Sequence, residues 1–98
     1  MSDPVALDRL AAIHSLLGSP TRLAFVNALA SGPKSGTALG ELTGVSLSAV
    51  SQHMSKMKEG GLVGWSRDPN RRQVILFYLI EPHHPLVATT VALLSGKG

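Results

Sequence analysis

A mainly α-helical fold carrying one β-hairpin is what this chain predicts, and three observations predict it. Apolar residues recur at helical spacing in five segments, each bounded by capping or breaking residues. Residues 62–80 change to β-forming types on both sides of a turn tripeptide. The 98 residues are 44% apolar and only 15% charged, which fits one ordered domain and excludes a disordered chain.

The first helix is expected from Val5 to Leu17, where Ala6, Leu10, Ile13 and Leu17 keep helical spacing. Val5, Leu7, Ala12 and Leu16 spread apolar surface round most of the cylinder, interrupted by Asp8, Arg9, His14 and Ser15. Such a helix needs cover on two sides. Gly18 stops it, and Ser19-Pro20 restarts the chain with an N-cap and a proline at the first helical position. The second helix carries Leu23, Val26 and Ala30, flanked by Phe25 and Leu29, and runs to the break at Gly32-Pro33.

A short third helix is expected from Gly36 or Thr37 to Thr43, anchored by Leu39 and Leu42. Gly36 and Gly40 lower its intrinsic propensity, so packing must hold it. Gly44-Val45 turns the chain, and Ser46 caps a longer helix to about Glu59 or Gly60. Val50, Met54 and Met57 form its apolar stripe, and Gly60-Gly61 supplies a left-handed stop. Leu62 to Arg67 and Arg72 to Ile80 read as strands joined by Asp68-Pro69-Asn70, with Trp65 and Met57 as core beneath the hairpin. Pro82 and Pro85 precede a last helix from His84 to about Ser95, with no charge between His84 and Lys97.

The order is therefore α-α-α-α-β-β-α. A short helix, a tight turn and a second helix make a helix-turn-helix, which lays its second helix across a DNA major groove. The basic hairpin that follows makes it a winged helix-turn-helix. One domain is expected over 1–98, with the helix-turn-helix at about 35–60 and the wing at 62–80. The over-apolar helices 5–17 and 84–95 are then available for dimerisation.

With Val50, Met54 and Met57 as core, the opposite face of the longer helix carries Ser48, Gln52 and Ser55, flanked by Ser51 and Lys56. These side chains, with the cap Ser46, suit base edges and phosphates, and no carboxylate interrupts them before Glu59. A merely solvated face usually mixes Glu with Lys. Arg67, Arg71 and Arg72 surround the hairpin turn, where arginine can bind phosphate or enter a narrow minor groove. The net charge of +3 and pI of about 9.8 lean the same way.

Leu17-Gly18-Ser19-Pro20-Thr21-Arg22-Leu23 resembles the start of the second helix in the ArsR/SmtB family. Ser48-Ala49-Val50-Ser51-Gln52-His53-Met54, followed by Glu59-Gly60-Gly61-Leu62-Val63, is similar to that family's recognition helix and first wing strand. The arginine-bearing hairpin ending Phe77-Tyr78 is similar to its wing. The resemblance spans roughly residues 10 to 80. It implies a homodimer, joined through the first and last helices, that represses transcription by blocking a double-stranded DNA operator until an inducer releases it.

Two sensing devices of that family are incomplete here. Ser35 to Leu42 contains no thiol, and the chain has no cysteine, so thiolate metal sites and disulfides are excluded. His83 and His84 open the last helix, but Leu93, Leu94 and Ser95 stand where the second half of a histidine-carboxylate site belongs. No metal and no cofactor is therefore expected. A metal- or haem-responsive regulator using His14, His83 and His84 is the alternative, as is a winged-helix module for protein contacts. The inducer, whether small molecule or metal, stays open.

His53 is expected at the helix-packing edge. An enzyme is not expected, since no phosphate loop, nucleophile elbow or carboxylate pair is present. No secretory leader or apolar stretch of membrane length occurs, which gives cytoplasmic location and no membrane partner as expectations.

Overall fold

The computed structural model describes residues 3–96; Lys97, which closes the charge-free run, lies outside them. Five helices and three strands follow in the order α1 (Pro4–Leu17), α2 (Pro20–Leu29), β1 (Lys34–Ser35), α3 (Gly36–Thr43), α4 (Leu47–Glu59), β2 (Val63–Arg67), β3 (Ile75–Leu79) and α5 (Pro85–Leu94). Each helix begins where a side chain satisfies an otherwise unpaired N–H. Asp3, Ser19, Ser35 and Ser46 accept from the backbone N–H of Val5, Arg22, Ala38 and Ala49. His84 does the same for Leu86 through Nδ1 at 3.2 Å. Pro4, Pro20 and Pro85 occupy first-turn positions that need no donor.

The strands form one antiparallel sheet in the order β1-β3-β2, with Trp65 opposite Phe77 and Lys34 also opposite Phe77. The third strand corrects the two-stranded expectation. Two residues cannot display a period-two pattern, so only pairing with distant β3 reveals β1 as a strand. The second hairpin strand also starts later than expected, at Ile75 rather than Arg72. Asp68 to Val74 form a longer loop, closed by Asp68 N–H donating to the Val74 carbonyl at 2.9 Å. Within it the Asp68 carboxylate accepts the Asn70 N–H at 2.8 Å.

Phe25, Val26 and Leu29 of α2 meet Leu39 of α3, the Val50–Met54–Met57 stripe of α4, and Val63 and Leu79 of the sheet. Burial of these side chains removes apolar area from water at about 25 cal/mol per Å². Leu42 does not join them; it is 62% exposed, so Leu39 alone anchors α3. The propensity cost of Gly40 has a structural reason. A Cβ there would stand 2.9 Å from the Val45 carbonyl oxygen, so glycine permits the tight turn between α3 and α4. Gly44, at φ +73°, supplies the left-handed residue of that turn.

No residue of α1 is buried, and only Leu16 and Leu17 at its end pack against the core. α5 buries Val87 and leaves Leu93 and Leu94 exposed.

Candidate nucleic-acid interface

The apolar stripe of α4 fixes which of its residues face outward. Because Val50, Met54 and Met57 are buried, helical geometry turns Ser48, Ser51, Gln52, Ser55 and Lys56 to solvent, and all five are exposed. Ser46 is exposed as well, with Oγ engaged by the Ala49 N–H at 3.2 Å. Its hydroxyl keeps one O–H donor. The six side chains are thus carried by a single rigid helix and its cap. Lys56 and Lys58 occupy its last turn, where a cation also opposes the helix dipole.

His53 points the other way. Its ring lies 5.6 Å from that of Phe25, at the edge where α4 packs on α2. Burial pulls its imidazole below the ordinary value of 6.5, with the charges of Arg22 and Lys56 adding to the effect. A neutral His53 therefore serves packing.

Arg67, Arg71 and Arg72 are all exposed around the wing loop. Arg67 has a second task, since its Nη1 donates to the Arg72 carbonyl at 3.0 Å and braces the loop. Arg71 and Arg72 are carried on loop backbone.

Residue parity on the hairpin puts Val63, Trp65 and Arg67 on the face towards α4, with Leu79, Phe77 and Ile75 opposite them. Met57 is fully buried as expected, whereas Trp65 is 43% exposed and corrects its assignment to the core. The sheet extends past the cover that α4 provides, so its inner face becomes open beyond Val63. Lys58 partly fills that opening, with Nζ 5.0 Å from the centre of the Trp65 ring. Sequence reasoning missed this pair. The signal was available, because Lys58 follows Ser51 and Ser55 on one helical stripe.

Among the described residues, no three His, Asp or Glu side chains gather in an arrangement that could hold a metal ion. Nor is any described helix long and apolar enough to cross a membrane.

The helix-turn-helix domain family matches residues 17–63, from the end of α1 to the first residue of β2. The HTH-type transcriptional regulator YgaV of Escherichia coli is 39% identical over 67 residues, which cover 65% of this chain and 66% of that protein, just under two thirds of its length. A predicted DNA-binding transcriptional regulator from E. coli has a crystal structure similar to this fold, with a TM-score of 0.73 at 30% identity. That likeness covers 94% of this chain and 92% of the other. The chain belongs to the ArsR-like winged helix-turn-helix regulators.

This ArsR-like regulator also resembles the homodimeric winged helix-turn-helix DNA-binding domain Mb0332 of Mycobacterium bovis, a possible ArsR-family transcriptional regulator. The TM-score is 0.74 at 28% identity, over 98% of this chain and 85% of that one. The family and fold are those of DNA-binding transcriptional regulators rather than enzymes. In this fold α4 is the second helix of the helix-turn-helix and β2–β3 is the hairpin that follows it.

Proposed function

We propose that this protein is a homodimeric repressor that binds a double-stranded DNA operator and leaves it when an inducer acts. The observation that carries the reading is the outer face of α4. Ser48, Ser51, Gln52, Ser55 and Lys56 are exposed together on a helix held rigidly by its buried stripe. Gln52 is suited to a bidentate contact with adenine, and the serines and Lys56 to phosphates and base edges. Arg71, Arg72 and the braced Arg67 extend the basic surface into the wing, where they serve phosphate or minor-groove contacts.

Dimerisation is supported by the apolar surface of the terminal helices. Val5 is 63% exposed and Leu93 68%, and no residue of α1 is fully buried within its own chain. A concavity of about 760 Å³ lies between α1, the end of α4 and the start of α5, with Leu10, Ile13, Leu62 and Val87 in its lining beside the charged Asp8, Arg9, Glu59 and Glu81. Helices of a second copy would cover that apolar surface, which a monomer leaves in water. Helices 5–17 and 84–95 thus act as the dimer module, and residues 35–80 as the DNA-reading module. Such a regulator works beside the DNA, in the cytoplasm.

The test is a titration of the purified protein against a duplex from its own upstream region. Neutralising about six phosphates should lower affinity by roughly 10³-fold between about 50 and 200 mM salt. A scrambled duplex should bind more weakly at every salt concentration. Salt-independent binding, or equal affinity for both duplexes, would remove the basis of the proposal.

A further inference from the structure

Between α4 and the inner face of the wing runs a groove of about 290 Å³. Met54, Ile75 and Phe77 line its base, and its rims carry Ser51, Ser55 and Lys58 on one side and Trp65 on the other. No carboxylate lines it. Trp65 is the only tryptophan of the chain and is 43% exposed, with the Lys58 ammonium over its ring. A half-exposed aromatic ring beside a cation and two hydroxyls combines an apolar surface with donors suited to an anionic, partly apolar ligand.

The occupant follows from where the groove lies, given the DNA reading above, on which this inference rests. A recognition helix in the major groove and a wing tip at the neighbouring minor groove must be separated by one sugar–phosphate strand. That strand crosses the space between α4 and the wing. Ser51 and Ser55 belong at once to the proposed reading face and to the rim of this groove, so the two surfaces are continuous.

We propose that the Lys58–Trp65 groove seats this DNA strand, with Trp65 packing on a deoxyribose and Lys58, Ser51 and Ser55 holding the adjacent phosphate. The contact is to backbone, so it adds affinity for every sequence and discriminates among none. The stacked position of Lys58 restricts a long, flexible side chain before DNA arrives, which lowers the ordering cost of the contact.

Trp65 emission reports this groove alone. On titration with the upstream duplex, emission should change and saturate in step with the anisotropy of a fluorescein-labelled copy of that duplex. Trp65→Ala should lower affinity roughly five- to tenfold for cognate and scrambled duplexes alike, and Trp65→Phe should recover most of it. Lys58→Gln, at an exposed position, should reduce the slope of log affinity against log salt by about 1 while the protein stays folded by circular dichroism. The groove proposal is overturned if anisotropy reports binding while Trp65 emission stays constant and Lys58→Gln keeps the wild-type slope. An apolar small molecule that changes the emission while duplex DNA does not would overturn it also. Absence of any duplex binding by anisotropy would instead refute the DNA reading beneath it.

Discussion

The guanidinium of Arg22 donates from Nε to the carbonyl oxygen of Leu16 at 2.7 Å, tying the start of α2 to the end of α1. Its Nη2 donates to the Ser15 carbonyl at 3.3 Å. Both carbonyls belong to the last turn of α1, where acceptors outnumber backbone donors; the Ser15 carbonyl also accepts the Gly18 N–H at 3.2 Å. Since α1 buries no residue, this charged cap and the packing of Leu16 and Leu17 set its direction. Arg22→Ala should lower unfolding stability by about 1–3 kcal/mol. It should also weaken dimerisation, because α1 loses its fixed angle. Urea denaturation and sedimentation read the two effects separately, and wild-type behaviour in both would refute the role.

The same motif shows how far sequence carried the reading. Ser19 and Pro20 were legible as a helix start because capping is local chemistry. All five helices were placed by such local signals, to within a few residues at each end. What escaped depended on residues far apart. β1 exists only through its pairing with Phe77 and Leu76. Leu42 keeps helical spacing with Leu39, yet nothing packs over it; periodicity names a face and cannot say what lies opposite. Trp65 has the inner-face parity of a core residue, and its exposure depends on how far α4 reaches across the sheet. The polar face of α4 was legible for the converse reason, because three buried neighbours on one helix dictate what points away.

Two glycines should respond differently to alanine. A Cβ on Gly40 meets the backbone oxygen of Val45 at 2.9 Å, whereas one on Gly64 meets the Tyr78 ring at 2.7 Å. Backbone in a tight turn cannot yield, while the exposed Tyr78 side chain can swing aside. Gly40→Ala gains about 1 kcal/mol of helix propensity and still should come out destabilising by about 1–2 kcal/mol, through overpacking. Gly64→Ala should stay within about 0.5 kcal/mol of wild type. The reverse order in chemical denaturation would contradict the turn geometry.

If α1 and α5 join two copies, charge on their exposed apolar residues should separate them. Val5→Glu with Leu93→Glu places an acid at two positions that are 63% and 68% exposed in one chain. The monomer fold should persist by circular dichroism, since neither residue contributes to the core. Sedimentation should change from twice the 10.3 kDa chain mass to that mass itself. Wild-type protein already sedimenting as single chains at micromolar concentration would end the dimer proposal.

His53 links stability to pH. Its folded-state pKa lies below the unfolded value of 6.5, chiefly through burial and then through Arg22 and Lys56. The unfolded chain therefore takes up the proton first as pH falls. The stability contribution is complete above about 6.5 and is lost as pH drops from there through the folded value. Between about pH 8 and pH 5, the urea midpoint of the wild type should fall further than that of His53→Gln. Parallel curves would show that His53 does not carry the effect.

Gln52 and Arg71 should separate sequence reading from simple attraction. Gln52 sits mid-helix on the exposed face of α4, where its amide can match one adenine. Gln52→Ala should therefore cost about 1–3 kcal/mol on the cognate duplex and relax preference at a single base pair. Arg71 rides on the wing loop, where the proposed contact is to backbone charge, so Arg71→Ala should weaken all duplexes alike and lower the salt slope by about 1. Affinities across a set of single-base operator variants distinguish these patterns. A Gln52→Ala profile parallel to wild type at every position would move specificity from Gln52 to the serines or to DNA shape, because a contact that reads no base cannot change relative preference.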